Sequence, residues 1–312
     1  QVLTALLTAL PEQAMTRQPE DGGWDIHNIV THLRDAQGVL DYRLDLFMNE
    51  EHPALESKAV FEWATRADEH PLSTLEIFQE YQTVRTRLLT RRILAACAGA
   101  KVHRYLHMSA LGADPNGPSM YQRSKGRAEQ AVRESTLAWT IFQPSVIFGA
   151  EDSFLNMFAR LAAIAPVLPI GGAAVKFQPV WVEDVARAFV NSLDSEATVG
   201  KAYELAGPKV YTLRELVQFA SGAAGHRRPV VALPDGIARL QARLMEFAPG
   251  EPLLSRDNLD SMKRDNVASR QPYAPAPELG ITATPMEPEA SLYLAGLHPR
   301  SRFGGFRARA RR

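Results

Sequence analysis

The sequence predicts an α/β protein: a partial parallel sheet with helices on both faces, preceded by an all-helical segment. Three observations carry this. After residue 91, strand-like and helix-like runs alternate, and strands separated by helices pair in parallel because the chain must cross over between them. Before residue 91, the apolar residues recur at helical spacing and no run rich in Val, Ile and Thr interrupts them. The chain is 46% hydrophobic over 312 residues, enough apolar material for one large core or two smaller ones.

The helical segment comes first. "QVLTALLTAL" has helical spacing and ends at Pro11, and "EDGGW" reads as a turn. Asp25 is placed to cap a helix reaching about Met48, with Ile26, Ile29, Val30, Leu33, Ala36, Leu40 and Leu44 three or four residues apart. A third helix is expected from about Ser73 to Leu89, with Leu75, Phe78, Tyr81, Val84 and Leu88 on one stripe. The seam falls near Leu89–Arg92. Beyond it, "RRILAACAGA" reads as a helix, "HRYLHMSALG" as a strand with its exit loop, and residues 121–135 as a helix. "AWTIFQPSVIFG" is a strand and exit loop, "SFLNMFARLAAIA" a helix, and "KFQPVWV" an extended run leading into the helix "EDVARAFVNSL". "KAYELAG" is a strand. Thr212 and Glu215 form a capping box that opens "LRELVQFASGAAG". "RPVVALP" is a short strand before a last long helix through "GIARLQARLMEFAP".

Bulk properties narrow the function classes. Formal net charge is zero, so no global field draws the chain to nucleic acid, and no nucleic-acid partner is expected. The end, "HPRSRFGGFRARARR", carries six arginines and makes residues 296–312 a basic disordered tail. Two readings of the tail stand: a solvated end, or contact with RNA, anionic lipid or an acidic protein surface. The first is favoured because terminal charge runs are usually only solvated. Cys97 is the single cysteine, so a reducing, cytoplasmic setting is expected. No apolar run approaches the roughly 18–20 residues of a membrane span, and no signal peptide is visible. A chain starting at Gln1 inside an apolar run reads as a fragment or a trimmed chain.

Within "SMYQRSKGRAEQAV", Tyr121 and Lys125 stand four apart on one helical face. Alone, such a pair is weak and is by default a surface tyrosine and lysine. It occurs here with "RYLHMSALGA", "LAWTIFQPSVIFGAED", "FQPVWVEDVARAF", "AYELAGPKVYTLREL" and "SRDNLDSMKRDNV". With these six blocks in this order, residues 91–295 resemble the atypical, extended short-chain dehydrogenase/reductase family. The nearest branch is the bacterial relatives of the nucleotide-binding accessory subunit of respiratory complex I. The resemblance implies a partial Rossmann-like sheet, an epimerase/dehydratase-like oxidoreductase ancestry, and NADP or NAD as cofactor. It implies Tyr121 as the proton-transfer residue and Ser109 as a hydrogen-bond donor to the substrate oxygen. It implies Lys125 on the nicotinamide ribose, and Pro144, Ser145 and Val146 lining the nicotinamide side. The ammonium of Lys125 is expected to favour the phenolate and lower the tyrosine pKa from about 10. Gln143 stands where the branch usually has arginine.

The family opens with a strand and a Gly-x-x-Gly-x-x-Gly turn whose helix N-terminus receives the pyrophosphate. Residues 1–90 contain only Gly22, Gly23 and Gly38, and Gly222-Ala-Ala-Gly225 follows a helix. The pair is therefore expected without its cradle. In place of the first strands, "GGWDIHNIVTHLRDAQGVLDYRLDLFM" resembles the second-helix signature of DinB-like four-helix bundles, so residues 1–90 read as a three-helix, truncated bundle. The resemblance implies a metal-dependent transferase, with His32 as the first ligand. Its other two histidines belong to a fourth helix that the segment lacks, so the metal site is expected to be incomplete. His103 and His107 are no substitute: four residues along a strand span roughly 13 Å, too far for two bonds of about 2 Å to one ion. His27 reads as a surface residue, and Glu183 and Asp184 as carboxylates favoured by a helix N-terminus.

The expectation is a nucleotide-binding, oxidoreductase-like protein impaired in cofactor binding. Its alternatives are a non-catalytic accessory or assembly protein of a respiratory complex, and a DinB-like transferase remnant. The partners expected are respiratory complex I or another protein peripheral to the inner membrane, and a second copy paired through an exposed sheet edge.

Overall fold

The structure, a computed structural model, describes residues 10–17, 25–27, 30–31, 77, 90–246 and 254–298. It divides into two compact units: one of Gln1–Tyr105, Asp114–Leu137 and Glu246–Leu253, the other of Leu106–Ala113, Ala138–Met245 and Leu254–Arg312. Most of the expected three-helix segment lies outside the described residues, as does His32.

In the first unit, residues 90–99 form helix α1. Helix α2, Met120–Arg133, is fixed at its start by a capping box. The Ser119 hydroxyl accepts from the Gln122 amide at 3.1 Å, and the Gln122 side chain accepts in return from the Ser119 amide. This is the S-x-x-Q pattern that closes two orphan amides at once. Arg91, with a side chain only 10% exposed, reaches Glu134 beyond the end of α2 at 3.5 Å. Further upstream a single turn, Glu12–Met15, buries Met15. His27 Nδ1 lies 3.5 Å from Glu12 Oε1 with its side chain 14% exposed, so His27 is not the surface residue that the sequence suggests. Its partner is the carboxylate of Glu12, directly after Pro11 and fifteen residues back in the chain, a contact that helical spacing cannot reveal. Of the helix expected from Asp25, residues 26–27 and 30–31 are described and are helical.

The second unit is built on a three-stranded sheet ordered β1–β2–β7. Its strands are β1, Arg104–Met108, of which Leu106 to Met108 belong to this unit, β2, Ala138–Pro144, and β7, Lys201–Leu205. β2 and β7 run parallel, with Phe142 opposite Tyr203 and Pro144 opposite Leu205. One face of this sheet is covered by helix α4, Val182–Leu193, whose Val185 and Ala188 pack on Phe142, Tyr203 and Leu205. Leu279, fully buried, completes that core. A second core lies around helices α3, Phe154–Ile164, and α5, Leu213–Ala223, with α8, Met286–Leu294, packed on them. Among the described residues this unit thus holds these two cores and a smaller third one of Ala238, Ala242 and Leu259, rather than one large one.

The alternation of strands and helices stands, but the expected run of parallel strands is divided. β3, Ile147–Phe148, pairs in parallel with β6, Val180–Trp181. β4, Leu168–Ile170, pairs in parallel with β9, Val230–Ala232. β5, Lys176–Phe177, pairs antiparallel with β8, Tyr211–Thr212. The Thr212–Glu215 capping box forms as read and turns β8 directly into α5. Helix α6, Asp235–Glu246, and the short α7, Arg256–Ser261, follow.

A surface cluster joins β7 to the C-terminal segment. Lys201 Nζ and the Tyr203 hydroxyl both donate to Glu278 Oε1, at 2.9 and 3.0 Å. Its own backbone amide first, and then these two partners, hold the Glu278 carboxyl down to about 2. A carboxyl depressed in the folded state contributes stability above its unfolded value of 4.5, and that contribution is lost as pH falls toward 2. Thermal melts from pH 6 downward should therefore show Glu278→Gln losing less stability than the parent between pH 4.5 and about 2. Parallel curves over that window would refute the assignment.

Candidate functional site

Ser109 follows β1 directly, and its amide continues the ladder by donating to the Phe142 carbonyl at 2.7 Å. Two residues on, the Leu111 amide donates to the Pro144 carbonyl at 2.8 Å, and the Ser145 amide donates to Leu205 at 2.8 Å. Ser109, Pro144 and Ser145 therefore lie together in the second unit, where β1, β2 and β7 end. Carboxyl ends of parallel strands are where open α/β sheets bind ligands.

Ser109 is 3% exposed, and its hydroxyl has no hydrogen-bond partner among the described residues. A buried hydroxyl without a partner costs on the order of 1–3 kcal/mol. Ser145, equally buried, spends its hydroxyl on Asn266 Oδ1 at 2.5 Å. Val146 is half-buried against the α3–α5 core. Of the site residues expected in this unit, Ser109 alone thus keeps an unspent polar atom.

In the first unit, α2 carries Tyr121 and Lys125 on one face, with Lys125 Nζ 6.0 Å from the centre of the Tyr121 ring. That is the outer limit of a cation–π contact. Tyr121 is 49% exposed, yet desolvation still raises its pKa above 10. Desolvation also lowers Lys125 below 10.5, opposed by the charge of Glu129 one turn along. The expectation that Lys125 depresses the tyrosine is therefore overturned. Desolvation of the phenolate is the only resolved effect on Tyr121, and a charge at the ring face is farther from the phenolic oxygen than a direct ion pair.

Loop 114–118 folds onto the start of α2. The Asp114 amide donates to the Gln122 carbonyl at 3.0 Å. Arg123 donates to the Gly117 and Pro118 carbonyls at 3.0 and 3.1 Å.

Asn266 has no role in the sequence reading beyond its place in the "SRDNLDSMKRDNV" block. Here it joins both exit loops, through Ser145, Val146 and Leu111. Asp184 is not an ordinary helix-start carboxylate. It is 1% exposed and accepts from the Thr284 amide and hydroxyl at 2.8 and 3.1 Å. Among the described residues no cluster of three metal-ligating side chains occurs, and no helix is long and apolar enough to cross a membrane. His107 lies in β1 with His103 just before it, as the strand reading requires.

A family described as NAD(P)H-binding matches residues 56–157, a span that contains Ser109, Tyr121, Lys125 and Pro144 to Val146. The chain is 35% identical over 180 residues to NADH dehydrogenase (ubiquinone) 1 alpha subcomplex subunit 9, mitochondrial, of Arabidopsis thaliana, covering 54% of this chain and 44% of that one. It is 33% identical over 201 residues to the Mus musculus protein of the same name, covering 64% and 53%. The chain thus spans about half the length of these relatives. Among solved structures, UDP-glucose 4-epimerase from Thermotoga maritima aligns with a TM-score of 0.50 at 15% identity, over 69% of this chain and 70% of that one. That likeness is one of fold. The chain is therefore an α/β protein whose residues 56–157 match a family described as NAD(P)H-binding, it is homologous over about half their length to these subunit 9 proteins, and the resemblance to the short-chain dehydrogenase/reductase family stands.

Proposed function

We propose that this chain keeps the nicotinamide half of a short-chain dehydrogenase/reductase site and binds the whole dinucleotide weakly. The observation that carries the reading is the buried, unspent hydroxyl of Ser109 at the end of β1. It has the polarity and position to donate to a substrate oxygen. Lys125 would hold the nicotinamide ribose, and Pro144, Ser145 and Val146 would line the ring. NADP or NAD would be held in its reduced form, NADPH or NADH, to supply hydride, and in its oxidised form to accept it. A Tyr121 phenol held above its ordinary pKa stays protonated at neutral pH, so it suits proton donation to a carbonyl oxygen better than proton abstraction. What supports weak binding is that residues 1–90 hold only Gly22, Gly23 and Gly38, whereas pyrophosphate contacts are made by a glycine-rich turn.

A second reading has no turnover. In it the chain is an accessory protein on respiratory complex I, or on another partner peripheral to the inner membrane, and the names of its relatives favour this. Domain limits at 1–90, 91–295 and 296–312 belong to the same proposal, as does self-association through a sheet edge. A DinB-like metal role would rest on His32.

Isothermal titration of the purified chain with NADPH and NADH tests the leading reading. The expected result is binding weaker than micromolar that Ser109→Ala weakens further. Micromolar binding at one site per chain would overturn the claim that the glycine turn is needed. Sedimentation velocity on the same sample tests self-association, and a single monomeric boundary would remove it.

A further inference from the structure

We propose that Asn266 is a positioning residue that locks the two strand-exit loops of the nicotinamide half-site into one rigid ligand-facing wall. The inference rests on the reading of that half-site given above.

Asn266 is anchored by its backbone. Its amide donates to the Lys176 carbonyl at 2.8 Å, and its carbonyl accepts from the Gln178 amide at 3.0 Å. Residue 266 thus forms a parallel bridge with Phe177 at the end of β5. From there the side chain works in two directions. Oδ1 accepts from the Ser145 hydroxyl at 2.5 Å and from the Val146 amide at 3.1 Å. Nδ2 donates to the Leu111 carbonyl at 3.3 Å. The Leu111 amide in turn donates to the Pro144 carbonyl. One amide group therefore closes a ring of hydrogen bonds through the loop after β1, which begins at Ser109, and the end of β2 at Pro144 with its exit loop, Ser145 and Val146.

The chemistry singles out asparagine. The site needs two acceptor lone pairs on one side and a donor on the other, about 2.2 Å apart on one planar group. Only a carboxamide offers this inventory. Aspartate keeps the acceptors and loses the donor, and alanine loses all three contacts. Loops at strand ends otherwise tend to move, and a misplacement of about 1 Å at a reacting group is costly.

The test uses the full chain and four forms: parent, Asn266→Ala, Asn266→Asp and Thr140→Val. Thr140 is the control, because its buried hydroxyl donates to the Thr198 carbonyl at 2.6 Å, outside the Asn266 network. Two readouts are taken. Amide hydrogen exchange without ligand should speed up at least tenfold at Val146 and Leu111 in Asn266→Ala, and not in Thr140→Val. In Asn266→Asp the Val146 amide should stay protected, while the Leu111 loop loosens. Saturation-transfer NMR with NADPH should then show the nicotinamide signals falling at least fivefold in Asn266→Ala, with the adenine signals and Thr140→Val little changed.

Unchanged exchange at Val146 and Leu111 overturns the lock, whatever the parent binds. Equal loss of nicotinamide signal in Asn266→Ala and Thr140→Val overturns it too, by reducing Asn266 to general stability. Faster exchange in Asn266→Ala together with no nicotinamide signal in the parent supports the lock and overturns the nicotinamide reading instead.

Discussion

Gly126→Ala is expected to destabilise the first unit by about 1–3 kcal/mol, against the ordinary trend for helices. Alanine in a helix interior is normally more favourable than glycine by about 1 kcal/mol. Here a Cβ at residue 126 would sit 2.3 Å from both the Asp114 carbonyl carbon and the Pro115 nitrogen. Both are backbone atoms, so no side chain can swing aside. The loop cannot retreat freely either. Asp114 is bonded to the Gln122 carbonyl, the Gly117 amide closes back on Asp114 at 2.9 Å, and Arg123 holds the Gly117 and Pro118 carbonyls. Either α2 shifts, carrying Tyr121 and Lys125 with it, or the 114–118 loop unpins. Gly222→Ala is the matched control: it also lies in a helix, and a Cβ there meets nothing within 4 Å. Urea denaturation should show Gly126→Ala less stable than the parent, and Gly222→Ala equal or slightly more stable. The same sign for both substitutions would mean that the close approach of loop and helix is absent.

That contrast also marks what a sequence can disclose. The spacing of Tyr121 and Lys125 and the box from Thr212 to Glu215 were legible because they are properties of one helix, set by residues three or four apart. The box from Ser119 to Gln122 carries the same signal and follows the same rule. Two-residue strands such as β3, β5, β6 and β8 are too short to show alternation, so the division of the sheet was not legible. Nor were Asn266 and Asp184. Asn266 makes its bonds to groups 80 or more residues distant in sequence, and Asp184 is buried by its bonds from Thr284, 100 residues away; no local period records such a partner. Ser109 was legible as a candidate from its place in a motif. Its meaning came only from burial: a hydroxyl that the fold encloses and leaves unspent. The tyrosine pKa failed for a related reason. The lysine charge was visible in the sequence, whereas desolvation is a property of the packed protein.

Asp184→Ala is expected to cost about 3 kcal/mol, because it removes two hydrogen bonds to a buried carboxylate and strands a backbone donor. The Thr284 amide and hydroxyl both end on Asp184. Arg187 lies 3.4 Å away, and although Asp184 is buried the arginine side chain is 62% exposed, so water screens the pair and it adds less than the two bonds from Thr284. At the other end of α4, Asn191 donates to the Leu279 carbonyl at 2.8 Å. The helix thereby grips the 276–284 segment at two points, Leu279 and Thr284, and the Leu279 side chain fills the core against Phe142 and Leu205. Releasing the Asp184 end should let that segment lift. Asp184→Asn keeps one acceptor for the Thr284 amide and lets the threonine hydroxyl rotate to accept, so its cost should be smaller, about 1 kcal/mol. Thr284→Val added to Asp184→Asn should cost less than the sum of the two, because they share the bond that is lost. Chemical denaturation gives the energies, and trypsin reports the segment through cleavage after the exposed Arg270, faster in Asp184→Ala than in the parent. A cost below about 0.5 kcal/mol, the range of an ordinary surface substitution, with unchanged cleavage, would show that α4 does not hold the segment.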